Sequence, residues 1–447
     1  MVDRLGALED LVDRSPRGIA GAVSRAIRAG ELAPGDRLPT VRSVADSLGV
    51  SPGTVSAAWQ ALRRKGLIVA RGRSGSFVQD APTAWLSPRH RDLVGAGLDG
   101  ARLDLSRGIA DPSLLPSLGP ALRRVSERAE AFAYQAEPVL PGLRAVLVDA
   151  WPARVETLTV VDGATDGIAR VLEEVAGYGD RVVLESPGYP PLFDLVESLG
   201  AEVVPVRHDA EGILPRSLEA AMSARPTAVV LQPRAQNPTG RVMSEERAER
   251  LVRVMTRRGV ATPWIVEDDH SHGISTATPV SLARWLPERV VHVRSFSKSH
   301  GPDLRIAAMG GPGALLDRVV ARRMLGPAWT SRMVQTILLE LLTAPSSVAQ
   351  VEHARSTYAA RQGALVAALG AHGVSLEVPD GINLWLPVRD ERAALLELDA
   401  AGIRVAGGTT FLATPGTDHP AVRVTSGLVA VEDADEVAAA LAAASRG

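Results

Sequence analysis

The 447-residue chain contains no cysteine, which excludes disulfide bonds, thiolate catalysis and cysteine-ligated zinc together. Its nine histidines fall into no metal-binding spacing such as HExxH, so no metal site is expected. No apolar run approaches the roughly 18 consecutive residues that argue for a membrane span. The opening stretch MVDRLGALEDLVDRS mixes acids with arginines where a secretory signal would need an apolar core. A soluble, cytoplasmic protein with no membrane partner is expected. Lysine is nearly missing as well: Lys65 and Lys298 are the only two, against 47 arginines. Wherever a positive charge needed only solvation the chain uses arginine, so each lysine raises the question of what only a primary amine can do.

A hydrophobic content of 46% over this length can bury more than one core, and two or three domains are expected. The net charge of -2 conceals an asymmetry: residues 1–80 hold 12 lysines and arginines against 8 acids, and the remainder 37 against 43. A cationic head on an acidic body suits a small nucleic-acid module joined to a larger domain.

In residues 18–29, Ile19, Val23 and Ile27 recur at four-residue spacing and predict a first helix. Val41, Val44 and Leu48 predict a second, between Thr40 as cap and Gly49 as stop. Ser51 as N-cap, Pro52 in the first helical position, and Val55, Trp59 and Leu62 on one side predict a third that ends at Gly66. The last two, joined at Gly49-Val50, form a helix-turn-helix, and LIVARGRSGSFV reads as two strands around a glycine-rich turn, the wing. Such a module lays its second helix in the major groove of double-stranded DNA. By position the candidate DNA contacts are Arg42, Ser51, Thr54, Ser56, and Arg71 and Arg73 in the wing. Lys65, beside Arg63 and Arg64, reads as a phosphate contact or a solvated charge. From GELAPGDRLPTVRSVADSLGVSPGTV through ALRRKGLIVARGRSGSFV, the chain resembles the GntR-type winged helix over its whole length. It departs at Pro52 and Gly53, where the family usually has basic or β-branched residues.

Residues 1–80 are therefore expected to form the DNA-binding domain, the Pro-, Gly- and Arg-rich stretch 81–102 a linker, and 103–447 the body. In the body, short apolar runs (TLTVVD, RVVLESP, TAVVLQP, TPWIVEDD, RVVHVRSF) alternate with helical patterns. This predicts an α/β fold with a large parallel-sheet lobe covered by helices, and a smaller C-terminal lobe from about Gly326. Polar residues cluster just after the strands, where open α/β sheets bind ligands.

Lys298 follows the strand RVVHVRSF and is the only lysine in residues 66–447. Asp268 lies in VEDDH at the end of the run TPWIV, and Gly163, Ala164 and Thr165 bridge a strand and a helix. Ser295, Ser297 and Arg305 surround the lysine in sequence. A lysine for a Schiff base, an acid for a pyridine nitrogen and donors for a phosphate dianion are what pyridoxal 5'-phosphate requires. Taken singly, Asp268 reads equally as a strand-end cap, Tyr189 as core and Arg423 as a surface charge; the set carries the inference.

The motifs QNPTG, EDDH and SFSK, with an arginine seven residues on, resemble the fold-type I aminotransferases from about Asp104 to the C-terminus. The combination with the N-terminal module is similar to the MocR subgroup of GntR regulators. The resemblance implies that Tyr189 stacks on the cofactor ring and Asn237 meets its hydroxyl. It implies that Tyr134 reaches the phosphate of a second copy in a homodimer and that Arg423 grips a substrate α-carboxylate. His270 stands where the family often has tyrosine. Asp269 is expected as a neighbouring or solvated acid, and His208, His292, His353 and His419 as structural. The leading expectation is a transcriptional regulator whose body senses the cofactor, or an amino compound, through Schiff-base chemistry at Lys298. The alternatives are a working aminotransferase carrying a DNA tether, and a purely structural dimerisation body.

Overall fold

The computed structural model describes residues 11–64, 66–70, 75–79, 86–94, 101–127, 137–259, 261–416 and 419–447. The chain divides into two compact units, one formed by the chain up to Ser87 with Gly177–Asp180 and Leu195–Glu202, the other by Pro88–Ala176, Arg181–Asp194 and Val203–Gly447. Among the described residues no helix is long and apolar enough to cross a membrane.

The first unit begins with α1 (Pro16–Ala29), where Ser15 accepts a hydrogen bond from the Gly18 amide and Gly30 at φ 78° closes the helix. Helix α2 (Val41–Leu48) is capped by Thr40 and stopped by Gly49 at φ 65°. Helix α3 (Pro52–Arg64) follows. Strands β1 (Ile68–Ala70) and β2 (Ser76–Val78) pair antiparallel, Ile68 opposite Val78. Ile19, Val23, Val44, Leu48, Val55, Trp59 and Leu62 bury their side chains in one core, each contributing about 1.5–3 kcal/mol for a Val, Leu or Ile side chain fully withdrawn from water. The expected helix-turn-helix and wing strands are present.

In the second unit, the stretch expected as a linker contains a helix, α4 (Pro88–Val94). Proline at the helix start favours it, and Leu93 gives it a reason to stay: this side chain is buried with Ala406 and Phe411 beside Tyr189 and Trp385. The Arg89 amide and guanidinium both donate to Asp194, at 3.0 and 3.1 Å. At Leu103–Asp104 the chain already pairs with Ile403–Arg404.

The main sheet has seven strands: β3 (Thr157–Val161), β4 (Arg181–Glu185), β5 (Glu202–Val206), β6 (Ala228–Leu231), β7 (Trp264–Asp269), β8 (Val290–Ser295) and β9 (Ala307–Gly311), in the order β3-β9-β8-β7-β6-β4-β5. The sheet is mixed: the expected parallel strands form its centre, and one strand runs against them. Pairs β4–β6, β6–β7 and β7–β8 are parallel, whereas β9 runs antiparallel to both β8 and β3. The connection from Ser295 to Ala307 holds only a short 3-10 turn (Pro302–Leu304), too little chain for the crossover helix a parallel return demands. Helices α5 (Ala164–Val175) and α6 (Pro190–Ser198) follow β3 and β4.

The smaller lobe also starts later than expected. The helix Arg332–Thr343 still packs Ile337, Leu338 and Leu341 against Leu143, Leu158 and Phe296 of the large lobe. The long helix α7 (Pro345–Ala371) then leads to a separate core, which its Leu365 and Leu369 share with the antiparallel strands β10 (Leu384–Pro387) and β11 (Ala421–Val424).

Candidate functional site

In the first unit Arg42 is exposed on the first turn of α2, and Thr54 and Ser56 are half-buried on α3. Ser51 Oγ accepts from the Thr54 amide at 3.1 Å and lies 2.9 Å from Thr54 Oγ1. The two hydroxyls thus serve the helix cap first. Arg71, Arg73 and Lys65 lie outside the described residues. Arg14, which the sequence motifs do not single out, donates to the Leu48 carbonyl at 2.9 Å at the C-terminus of α2.

In the second unit β7 and β8 run parallel with Asp268 opposite Val293, so Asp268 and Lys298, three residues past β8, emerge at the same sheet edge. They line a cavity of about 340 Å³, within the usual range for small-ligand sites. Every residue expected at the cofactor site borders it, as does Arg423, except Tyr134, which lies outside the described residues.

Asp268 is buried, and its Oδ2 accepts from Gln232 Nε2 at 2.8 Å while Oδ1 has no partner among the described residues. Burial raises its pKa, against the opposing pull of His270 and Gln232. Gln232 also accepts the Asn237 amide at 2.7 Å and donates its own amide to Glu185 Oε2 at 2.8 Å. Burial, reinforced by Asp268, pushes Glu185 up to about 8. Gln232 and Glu185 lie at the ends of the runs TAVVLQP and RVVLESP but were given no role from the sequence; their signal was only the position at a strand's C-terminal end.

Lys298 Nζ donates to the Gly108 carbonyl, and burial with help from Arg423 lowers its pKa to about 8. Arg423, on β11, is buried with its guanidinium 5.0 Å from the Phe411 ring centre. One Nη donates to the Ser106 carbonyl and the other to Asn237 Oδ1 at 3.5 Å, while Nε has no partner among the described residues. Burial pulls its pKa down to about 10. A buried guanidinium matched only by neutral acceptors is a site for an anion.

At the other end of the cavity Gly163 precedes α5 at φ 109°, with no side chain capping the helix. A Cβ there would stand 2.4 Å from Arg305 Nη2, so only glycine lets the guanidinium approach. Uncapped amides, this arginine, and the Ser295 and Ser297 hydroxyls 2.9 Å apart form an anion cradle. Tyr189 is buried, which pushes its hydroxyl up to about 12. Burial lowers the pKa of His270, against the opposing pull of Asp268: Nε2 meets the Ala235 carbonyl at 2.8 Å and Nδ1 the Ser271 hydroxyl at 3.1 Å. Both ring nitrogens are engaged, so His270 borders the cavity without offering it an N–H.

Behind Asp268 lies a buried charge cluster. Asp269, expected as a neighbouring or solvated acid, takes a bidentate pair of hydrogen bonds from Arg234 at 2.8 and 2.7 Å. Although burial opposes ionisation, His292 and Arg234 hold its carboxyl well below the ordinary range. His292 Nδ1 reaches Glu267 at 2.8 Å. The cluster fixes the strand end from which Asp268 projects.

Residues 103–441 match the aminotransferase class I and II family, and residues 17–78 the gntR family of bacterial regulatory proteins. The vitamin B6 salvage pathway transcriptional repressor PtsJ of Salmonella typhimurium is 32% identical over 88% of this chain and 90% of its own. The HTH-type transcriptional regulator TauR of Rhodobacter capsulatus is 29% identical over 87% and 88%. Among solved structures, the alpha-aminoadipate aminotransferase LysN of Thermus thermophilus superposes with a TM-score of 0.70 at 23% identity, over 80% of this chain and 94% of that one; the likeness is one of fold.

Proposed function

Because the chain belongs to the aminotransferase class I and II family and carries a gntR-family module ahead of that region, we propose that it is a DNA-binding transcriptional regulator whose second unit holds pyridoxal phosphate and senses an amino compound with it. The observation that carries this reading is the unpartnered Oδ1 of buried Asp268 in one cavity with Lys298. A buried carboxylate oxygen left without a donor is costly, and a protonated ring nitrogen is the donor that would complete it.

The other residues divide around that axis. The Gly163–Thr165 amides, Ser295, Ser297 and Arg305 would hold the phosphate, Tyr189 would cover one ring face, and the Asn237 side-chain amide would meet the ring oxygen. When bound, the cofactor supplies a carbonyl that condenses with primary amines and a ring that withdraws electrons. Lys298, with its pKa lowered to about 8, offers a partly neutral amine near physiological pH. Arg423 would grip a carboxylate. Tyr134 reaching a second copy, and with it a homodimer, belongs to the same reading; sedimentation as a monomer would contradict that part.

The relatives named as transcriptional regulators support control of transcription, with Arg42, Ser51, Thr54, Ser56, Arg71 and Arg73 as the candidate contacts to double-stranded DNA. The test is the affinity of the full chain for fragments selected from a random duplex pool, measured with and without pyridoxal phosphate and a set of amino compounds. A coupling of roughly five-fold or more is expected. Affinity indifferent to all of them would overturn sensing.

A further inference from the structure

Three side-chain links tie the turn after β6 to the end of β7. Gln232 Nε2 donates to Asp268 at 2.8 Å, Arg234 gives two hydrogen bonds to Asp269, and His270 Nε2 meets the Ala235 carbonyl at 2.8 Å. The turn they hold is constrained, since Ala235 sits at φ 46°, a left-handed backbone that alanine adopts at a cost. The Arg234 and His270 links fasten one element to the other. Gln232 does more. Its Nε2 serves Asp268, and its Oε1 accepts the Asn237 amide at 2.7 Å. Both partners border the cavity, Asp268 being assigned to the ring nitrogen and Asn237 to the ring oxygen.

The orientation of the Gln232 carboxamide follows from these partners: turned over, it would set its oxygen against a carboxylate and its NH2 group against a backbone N–H. The residue is buried, and its own backbone amide donates to Glu185, at the end of β4, at 2.8 Å. The ends of three neighbouring strands are therefore stitched together at this position. Asn237 in turn has its Oδ1 3.5 Å from an Nη of Arg423, which leaves its NH2 group for the ring oxygen.

We propose that Gln232 is a positioning residue of the cofactor site: it fixes the acid meant for the ring nitrogen and the amide meant for the ring oxygen relative to one another, so that both hydrogen bonds to the ring form together. The inference rests on the cofactor reading above. A buried carboxamide engaged at both ends cannot follow one partner without releasing the other. A donor held on the ring oxygen stabilises negative charge there, so the bound cofactor gives up its proton at lower pH. Freeing Asn237 from Gln232 weakens that donor and moves the proton loss to higher pH.

The experiment uses the full chain loaded with pyridoxal phosphate and follows the cofactor's absorbance against pH in the unaltered protein, Q232M, N237A and the double variant. Methionine keeps the length of glutamine and removes both hydrogen bonds. N237A should raise the pH midpoint by about one unit, the weight of one hydrogen bond to a charged oxygen. Q232M should raise it by roughly half as much, and should add no further shift in the N237A background, because it acts through Asn237. The basic groups bordering the cavity, His90, Arg107, His270, Lys298, Arg305 and Arg423, and the Tyr189 hydroxyl are the same in every variant. A general loss of stability would reduce the amount of cofactor held and leave the midpoint of the remainder in place. Should Q232M retain no cofactor, Q232N, one methylene too short to reach both partners, carries the same comparison. An unmoved midpoint, or a shift that adds in full to that of N237A, would overturn the positioning role. An unaltered protein that takes up no cofactor would overturn the underlying reading instead, and is recognised before any variant is compared.

Discussion

Gln232 donates its side-chain amide to one oxygen of Asp268 at 2.8 Å, and the other oxygen of that buried carboxylate has no partner among the described residues. The pair is a half-completed hydrogen-bond set that a ring N–H would finish. Asp268→Asn removes the anion and should weaken retention of pyridoxal phosphate by tenfold or more, about 1.4 kcal/mol, since hydrogen bonds to charged groups contribute roughly 1.5–3 kcal/mol. Equilibrium dialysis measures it, and retention equal to that of the unaltered protein would contradict the assignment.

Cofactor capture requires a neutral amine at Lys298, whose pKa burial lowers to about 8, Arg423 adding to the effect. The rate of capture should therefore climb with pH and level off above about 8. In Arg423→Gln the like-charge repulsion is gone, so the inflection should move to higher pH. Stopped-flow absorbance across pH 6–10 would show it, and an inflection that stays in place would count against the coupling.

Glu185 makes the folded protein hold a proton that the unfolded chain gives up. Its pKa rises from 4.5 to about 8, so the folded state binds more protons between those values. Its contribution to stability is present in full below about 4.5 and is lost as pH climbs toward 8. Glu185→Gln should flatten this slope, making the cofactor-free variant more resistant to urea than the parent at pH 8. Parallel pH profiles for the two proteins would refute this.

The Arg234–Asp269 pair is buried on both sides, with side chains 8% and 1% exposed. Removing one member strands the other charge, at a cost of roughly 3–5 kcal/mol. Arg234→Met should lower the urea midpoint of the second unit, followed through its tryptophans, and loosen the cofactor as the β7 end shifts. An unchanged midpoint would show the pair to be dispensable.

On the DNA side, affinity should fall linearly with the logarithm of salt concentration, and Arg42→Ala should reduce that slope by about one if the guanidinium meets phosphate. A slope equal to the parent's would move Arg42 out of the interface.

Much of this was legible in the sequence because chemistry and local geometry coincide there. Helices α2 and α3 are written in Thr40, Gly49 and Ser51-Pro52, and scarcity of lysine makes Lys298 conspicuous. What escaped depends on distances in three dimensions. The reversal of β9 rests on a short connection that resembles any loop, and α4 owes its stability to Leu93 meeting Ala406 and Phe411, more than 300 residues further on. Gln232 and Glu185 were assigned no role, and the sequence left Asp269 open between a neighbouring and a solvated acid because its partner, Arg234, is 35 positions away.

The most direct test of the cofactor assignment is the absorbance of the full chain after mixing with pyridoxal phosphate and dialysis, beside Lys298→Ala. A retained band, distinct from that of free cofactor and absent in the variant, is the predicted result. A band that persists without Lys298, or none in the unaltered protein, would contradict it.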